Sequence, residues 1–198
     1  MADLVRVDRS HFPQLLPLLK GFRNKRISDA MWERLFIRTW AGDEDYTGYA
    51  LRDGERFVGF LGLVFSRQQL PDGRTEKFCN LSSWIVEEPY RNQAVALVLP
   101  LFRLKDCTIT NLTPADAAWA VFSKLGFRVL DAGVRVLLPL PGRRKKGVTV
   151  TTDKTAIAAR LTGSLRTIAA DHAPYECGQL LLESPQGACL VLHKKRRY

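Results

Sequence analysis

Residues 80–101, NLSSWIVEEPYRNQAVALVLPL, decide the reading of this chain: an apolar strand gives way through a short polar elbow to a helical pattern. Leu81, Trp84, Ile85 and Val86 are β-branched, aromatic or aliphatic with partial alternation, and Glu87, Glu88 and Pro89 halt the run. After Tyr90 the apolar residues Val95, Val98, Leu99 and Phe102 recur at spacings of three and four, which predicts a helix. Between the two lie Arg91, Asn92, Gln93, Ala94, Val95 and Ala96, a mostly small-residue run at the expected helix start. The N–H groups of a first helical turn lack intrahelical partners and carry partial positive charge, so such a start can hold phosphate oxygens. An ordinary strand-turn-helix unit has the same signature, so the spacing alone leaves both readings open.

Working outward, residues 107–130, CTITNLTPADAAWAVFSKLGFRVL, read as strand, loop, helix and strand. Toward the N-terminus, Leu4 to Val7 alternate as a first strand, Asp8 to Ser10 supply a turn and cap, and residues 11–22 form an apolar-faced helix. Ser28 caps a second helix through Met31, Leu35, Phe36 and Trp40, in which Trp32, Phe36 and Trp40 read first as core. An acidic loop at Asp43, Glu44 and Asp45 precedes a strand over residues 47–52, and Asp53-Gly54 signals a hairpin into a strand over residues 57–65. Gly59 and Gly62 mark that strand as bent or closely approached. A turn at Leu70-Pro71-Asp72-Gly73 leads into residues 76–86, so three strands form an antiparallel meander and the following helix and strand add a parallel neighbour.

Two motifs together carry a resemblance. Arg91, Ala94 and Ala96 sit at the defined positions of the acyl-CoA loop of the GNAT acetyltransferase superfamily (Gln or Arg, two residues, Gly, one residue, Gly or Ala), with Ala94 in place of the first Gly. Asn92 stands where many members have another Gly, and Lys124-Leu125-Gly126-Phe127 resembles the end of the fourth helix of that family. The resemblance spans roughly residues 3–140 and implies an α/β fold of the GNAT type. Its mixed sheet is mostly antiparallel with one parallel strand pair, is flanked by helices, and is followed here by a C-terminal helix and hairpin.

The same resemblance implies an N-acyltransferase using acetyl-CoA or another acyl-CoA as co-substrate, with direct transfer to an amine on a small molecule or protein. Pyrophosphate would rest on the N–H groups of Gln93, Ala94, Val95, Ala96 and Leu97, beside Arg91 and Asn92. Trp84, Ile85 and Val86 match the strand end whose backbone pairs with pantetheine and polarises the thioester carbonyl. Phe122 stands where many members carry a Tyr that protonates the departing thiolate, and a benzyl group has no proton to give. By alternation Asn80, Ser82 and Trp84 share a face, so Asn80 and Ser82 could order a water for the attacking amine. Glu76, Glu87 and Glu88 read first as surface or turn residues. The missing acid motivates a second reading, a degenerate CoA-binding or protein-interaction module.

Net charge is +10, of which residues 143–198 contribute +7 and residues 1–142 only +3. The basic runs Arg143 to Lys146 and Lys194 to Arg197 lack interleaved aromatics, which argues against a nucleic-acid stacking platform. Pro139, Pro141 and Gly142 mark a linker, dividing the chain into a GNAT-like domain (1–142) and a basic C-terminal extension (143–198). In the extension, residues 154–170 read as one helix, and residues 178–183 and 188–193 as a hairpin whose edge would allow pairing between two copies. The helix and hairpin repeat the order of residues 28–65, so the extension reads either as the start of a second GNAT-like unit or as a chance repeat. No apolar run reaches the roughly 20 residues of a membrane span, and the N-terminus lacks the apolar core of a signal peptide, which together predict a cytoplasmic protein. Cys79, Cys107, Cys177 and Cys189 show no paired spacing, and His11, His172 and His193 no ligand spacing, so no metal is expected.

Overall fold

The alternating stretches between Asp3 and Thr110 form one five-stranded sheet in the computed structural model, which describes every residue except 25, 38–45, 71, 132, 134–145 and 195–198. Its order is β1 (Asp3–Val7), β2 (Gly48–Asp53), β3 (Arg56–Gln69), β4 (Thr75–Val86) and β5 (Thr108–Thr110). β1 to β4 pair antiparallel and β5 joins β4 in parallel, the arrangement that the hairpin signals and the intervening helical segment dictate. Gly54 takes the left-handed conformation (φ +60°) at the expected β2–β3 turn. Trp40, the acidic loop at residues 43–45, the turn residue Pro71 and most of the 139–147 linker lie outside the described residues. So do both domain-boundary positions, 142 and 143, and most of each basic run.

The sheet is covered on both faces. On one, Val7, Ala50, Phe57 and Phe60 pack with α1 (Phe12–Lys20) and α2 (Asp29–Glu33), through Leu15, Leu19, Trp32 and the buried Phe36. The Phe60 ring lies over Gly48 and Gly62: a Cβ on Gly48 would stand 2.7 Å from the ring and 2.5 Å from the Leu61 carbonyl oxygen. On the other face Leu51, Leu61, Leu63, Cys79 and Leu81 pack with Leu97, Val98, Leu101 and Phe122.

The turn into α1 is held by Asp8, whose carboxylate accepts from the Ser10 N–H at 2.8 Å and meets His11 Nδ1 at 2.9 Å. The hydrogen bonds from Ser10 and His11 hold its pKa down, to about 2. Because the folded pKa lies below the unfolded one, its contribution is full above the usual carboxylate range and is lost as pH falls through about 2. Asp8→Ala is expected to cost about 0.5–1 kcal/mol at neutral pH, the scale of a cap that solvent screens, and much less at pH 2, as urea titrations at the two pH values would show.

The segment after the elbow departs from expectation. Residues Glu88–Leu97 and Leu99–Arg103 are 3-10 helices with a break at Val98, in place of one α-helix. Pro100 has no N–H to bond back along an α-helix, its ring would crowd the carbonyl four residues earlier, and Val95 and Val98 are β-branched. The apolar face moves accordingly: Leu97, Val98 and Leu101 are buried, whereas Val95, Leu99 and Phe102 are 38%, 55% and 50% exposed. Downstream, α3 (Asp116–Phe122) runs into a 3-10 turn that stops at the left-handed Gly126 (φ +89°). The expected strand over residues 127–139 is not formed at residues 127–130, and most of its remainder lies outside the described residues.

Two compact units, Met1–Val129 and Leu130–Tyr198, divide the chain. In the second, β6 (Thr149–Thr151), β7 (Gly178–Ser184) and β8 (Gly187–His193) make a separate antiparallel sheet. The helix read as continuous over residues 154–170 is two, α4 (Lys154–Arg160) and α5 (Gly163–His172), because Leu161 and Thr162 are extended and Gly163 is left-handed (φ +56°). A small core of Ile157, Leu161, Ala169 and Leu181 holds this unit, and Gln179 Nε2 donates to the Ala169 carbonyl at 3.0 Å inside it. Among the described residues no helix is long and apolar enough to cross a membrane.

Candidate functional site

β4 and β5 pair only at residues 78–80 with 108–110. β5 ends at Thr110 while β4 continues to Val86, so beyond Asn80 the edge of β4 turned from β3 has no strand neighbour among the described residues. Apart from the Leu81 carbonyl, which accepts from the Asn80 side chain, the backbone groups on that edge have no strand to pair with and suit an extended ligand, in the manner of strand addition. Asn80 marks the parting: Thr110 Oγ1 donates to Asn80 Oδ1 at 3.2 Å, and Asn80 Nδ2 donates to the Leu81 carbonyl at 3.3 Å. Both ends of this amide are thus engaged in the sheet.

Just past the parting β4 carries a bulge. Gly62 pairs with Ser82 and Phe60 with Ile85, so one residue of β3, Leu61, faces two of β4, Ser83 and Trp84. Ser83 has φ +54°, a left-handed conformation uncommon for a residue with a side chain. The extra residue corrects the alternation read from sequence. Trp84 and Val86 lie on the face of Cys79 and Leu81, and Ile85 packs on the opposite core, so Trp84 does not share the face of Asn80 and Ser82. Ser82 Oγ meets Ser83 Oγ at 3.2 Å.

At this end of β4 the Trp84 ring lies 5.1 Å from that of Phe122, which lies 4.9 Å from Phe127. Phe122 is 1% exposed, so the position matched to the acid of the family is sealed inside an aromatic cluster. Trp84 Nε1 is buried and has no hydrogen-bond partner, the one such side-chain atom among the described residues. An unmet buried donor costs about 1–3 kcal/mol, which a Phe or Leu in the same place would avoid.

The elbow is anchored to the neighbouring strands. The Glu87 N–H donates to the Val58 carbonyl at 2.8 Å, Arg56 pairs with Glu87 at 3.0 Å, and the Tyr90 hydroxyl donates to Asp53. The Ala2 N–H donates to Gln93 Oε1 at 3.1 Å. Arg91, Asn92, Ala94, Val95, Ala96 and Leu97 sit within the 3-10 run rather than at a helix start; Arg91 and Asn92 are exposed and Leu97 is buried. Side chains three apart eclipse in such a helix, which lines Arg91 up with the small Ala94. Glu76 accepts from Thr108 Oγ1 at 2.6 Å and Glu87 is paired, so these two carboxylates have structural partners. Sequence reasoning missed Ser83; two adjacent serines inside an apolar strand were the available sign of a bulge.

No family model matches the sequence, and no curated protein does. Solved structures do match. An acetyltransferase of Trypanosoma brucei is 19% identical with a TM-score of 0.51, over 70% of this chain and 100% of its own. A predicted acetyltransferase of Clostridium acetobutylicum solved with acetyl-CoA is 14% identical with a TM-score of 0.51, over 69% of this chain and 96% of its own. An aminoglycoside N-acetyltransferase in complex with CoA is 14% identical with a TM-score of 0.54, over 71% and 96%. These likenesses, together with the mixed sheet and the parting of its one parallel pair, show that the chain has the GNAT acetyltransferase fold.

Proposed function

We propose that this chain is an acyl-CoA-dependent N-acyltransferase that transfers its acyl group directly to an amine. The observation that carries the reading is the open edge of β4 beyond Asn80, where the strand runs past the end of its parallel neighbour and bulges against β3. This end of the strand suits acyl-CoA: in the Trp84–Val86 segment the backbone of Ile85 is turned to Phe60, leaving the edge-facing groups of Trp84 and Val86 to pair with the amides of the pantetheine arm, and Arg91 in the elbow is an exposed cation for the diphosphate. Bound there, acyl-CoA supplies an activated thioester. Trp84, Phe122 and Phe127 give that end of the strand an apolar wall, which strengthens backbone hydrogen bonds by excluding water. The structures solved with acetyl-CoA and CoA support the same co-substrate class. A second reading, a CoA-binding module without turnover, is favoured by the buried Phe122, which cannot protonate a leaving thiolate.

Calorimetric titration with acetyl-CoA and free CoA at two salt concentrations tests the proposal. Near-stoichiometric binding is expected, and the double variant Arg91→Glu, Ala94→Asp is expected to weaken it by on the order of 100-fold by placing two carboxylates against the diphosphate. Binding without acyl transfer to any of a panel of amines would select the module reading. Failure of acetyl-CoA, CoA and longer acyl-CoAs alike to bind would overturn both.

A further inference from the structure

The unmet indole donor points to a ligand contact. We propose that Trp84 Nε1–H donates a hydrogen bond to the thioester end of bound acyl-CoA, a role resting on the reading that the cofactor occupies the parting of β4 and β5. Three observations converge on it. The atom is buried with no acceptor, on the segment of β4 whose open edge would carry the pantetheine arm. The bulge at Ser83 is what puts this ring on the face shared with Phe122. Phe122, tilted against the indole, and Phe127, tilted in turn against Phe122, carry no polar side-chain atom of their own.

Thioester oxygen and sulfur are the acceptors a ligand brings to that end of the strand. An indole N–H does not ionise near neutrality, so it transfers no proton. It would instead orient the group and stabilise negative charge growing on oxygen as the amine attacks, or on sulfur as the carbon–sulfur bond breaks. The contact would also favour the thioester arm over the nucleotide part of the cofactor, since only the arm reaches the strand edge. Because the atom is covered in the free chain, its engagement moves the ring or its cover, and the indole itself is the reporter.

The test uses full-length protein labelled with 15N at its four tryptophans, the Trp84 indole resonance being assigned by its absence in Trp84→Phe. Acetyl-CoA is expected to shift that resonance downfield, whereas adenosine 3′,5′-bisphosphate, which has no pantetheine arm, is expected to leave it in place. Trp84→Phe is expected to bind acetyl-CoA about tenfold more weakly and the bisphosphate equally well, and to unfold at the same or a higher denaturant concentration because the unmet donor is gone. A purely structural tryptophan would give the opposite stability change. Acetyl-CoA binding with the indole unmoved, or the same shift with the bisphosphate, overturns the inference and leaves the acyltransferase reading standing. Absence of binding by acetyl-CoA, CoA and longer acyl-CoAs alike overturns the reading and the inference with it.

Discussion

A chain lacking Ser83 is expected to be as stable as the parent, or more so, and to bind acetyl-CoA about 100-fold more weakly, the scale of two lost amide hydrogen bonds. The reasoning starts from register. Ser82 already faces Gly62 and Ile85 faces Phe60, so removing Ser83 leaves Trp84 alone opposite Leu61 and converts the bulge into regular pairing. Trp84, Ile85 and Val86 keep their faces, and nothing downstream moves. The left-handed residue disappears, and with it roughly 1–2 kcal/mol of backbone strain. What is lost is the local bend and extra twist of β4 just past the end of β5, which shape the edge proposed to hold the cofactor. Urea unfolding and calorimetry on the same preparation read the two effects. A deletion that destabilises the fold while binding acetyl-CoA normally would show that the bulge serves packing alone.

Phe60→Ala carries the largest expected loss of stability. The ring is fully buried, stacks on Phe36 at 5.5 Å, and lies in a seat made by two residues with no side chain, Gly48 and Gly62. Neither glycine can relax into the space, so the substitution removes apolar contact and also leaves a cavity, for about 3–5 kcal/mol. Against a total of about 5–15 kcal/mol for a domain, that lowers the melting temperature by roughly 10–20 °C. A shift of the urea midpoint with an unchanged slope would identify it as lost packing. A loss below about 1 kcal/mol would mean that α1 and α2 close onto the sheet after all.

The strands of the five-stranded sheet were legible because their signals are local, whereas the strand expected over residues 127–139 is not formed at residues 127–130 and the short β6 was not read from the sequence. Alternation over residues 4–7 and the Asp53-Gly54 turn each follow from one short stretch, and the parallel placement of β5 follows from the helical segment before it. The Lys124–Phe127 ending held in the same way, with Gly126 in the left-handed conformation only glycine adopts freely. The elbow was less legible. Spacing of three and four among Val95, Val98, Leu99 and Phe102 fits an α-helix, and Pro100, in the middle of it, outweighs that pattern. The face of Trp84 was illegible for a related reason: strict alternation assumes that no residue is inserted, and a bulge is set by cross-strand register that one strand does not contain. The partnerless indole likewise depends on what surrounds it, which pattern alone does not report.

The short β4–β5 seam bears on how the sheet comes together and apart. β3 and β4 are joined by a tight turn and zip over most of their length, whereas β5 must close a far longer loop to gain three residue pairs. Loop-closure entropy is spent on that seam for little return, so β5 is expected to dock late and to open early, which earlier amide exchange at residues 108–110 than at residues 59–65 would show. The same excursion lengthens the open flank of β4, adding residues 78–80 to the stretch beyond Asn80 that already has no strand neighbour. A substrate lying along residues 81–86 would act as the missing length of the fifth strand and hold the short seam closed at its end.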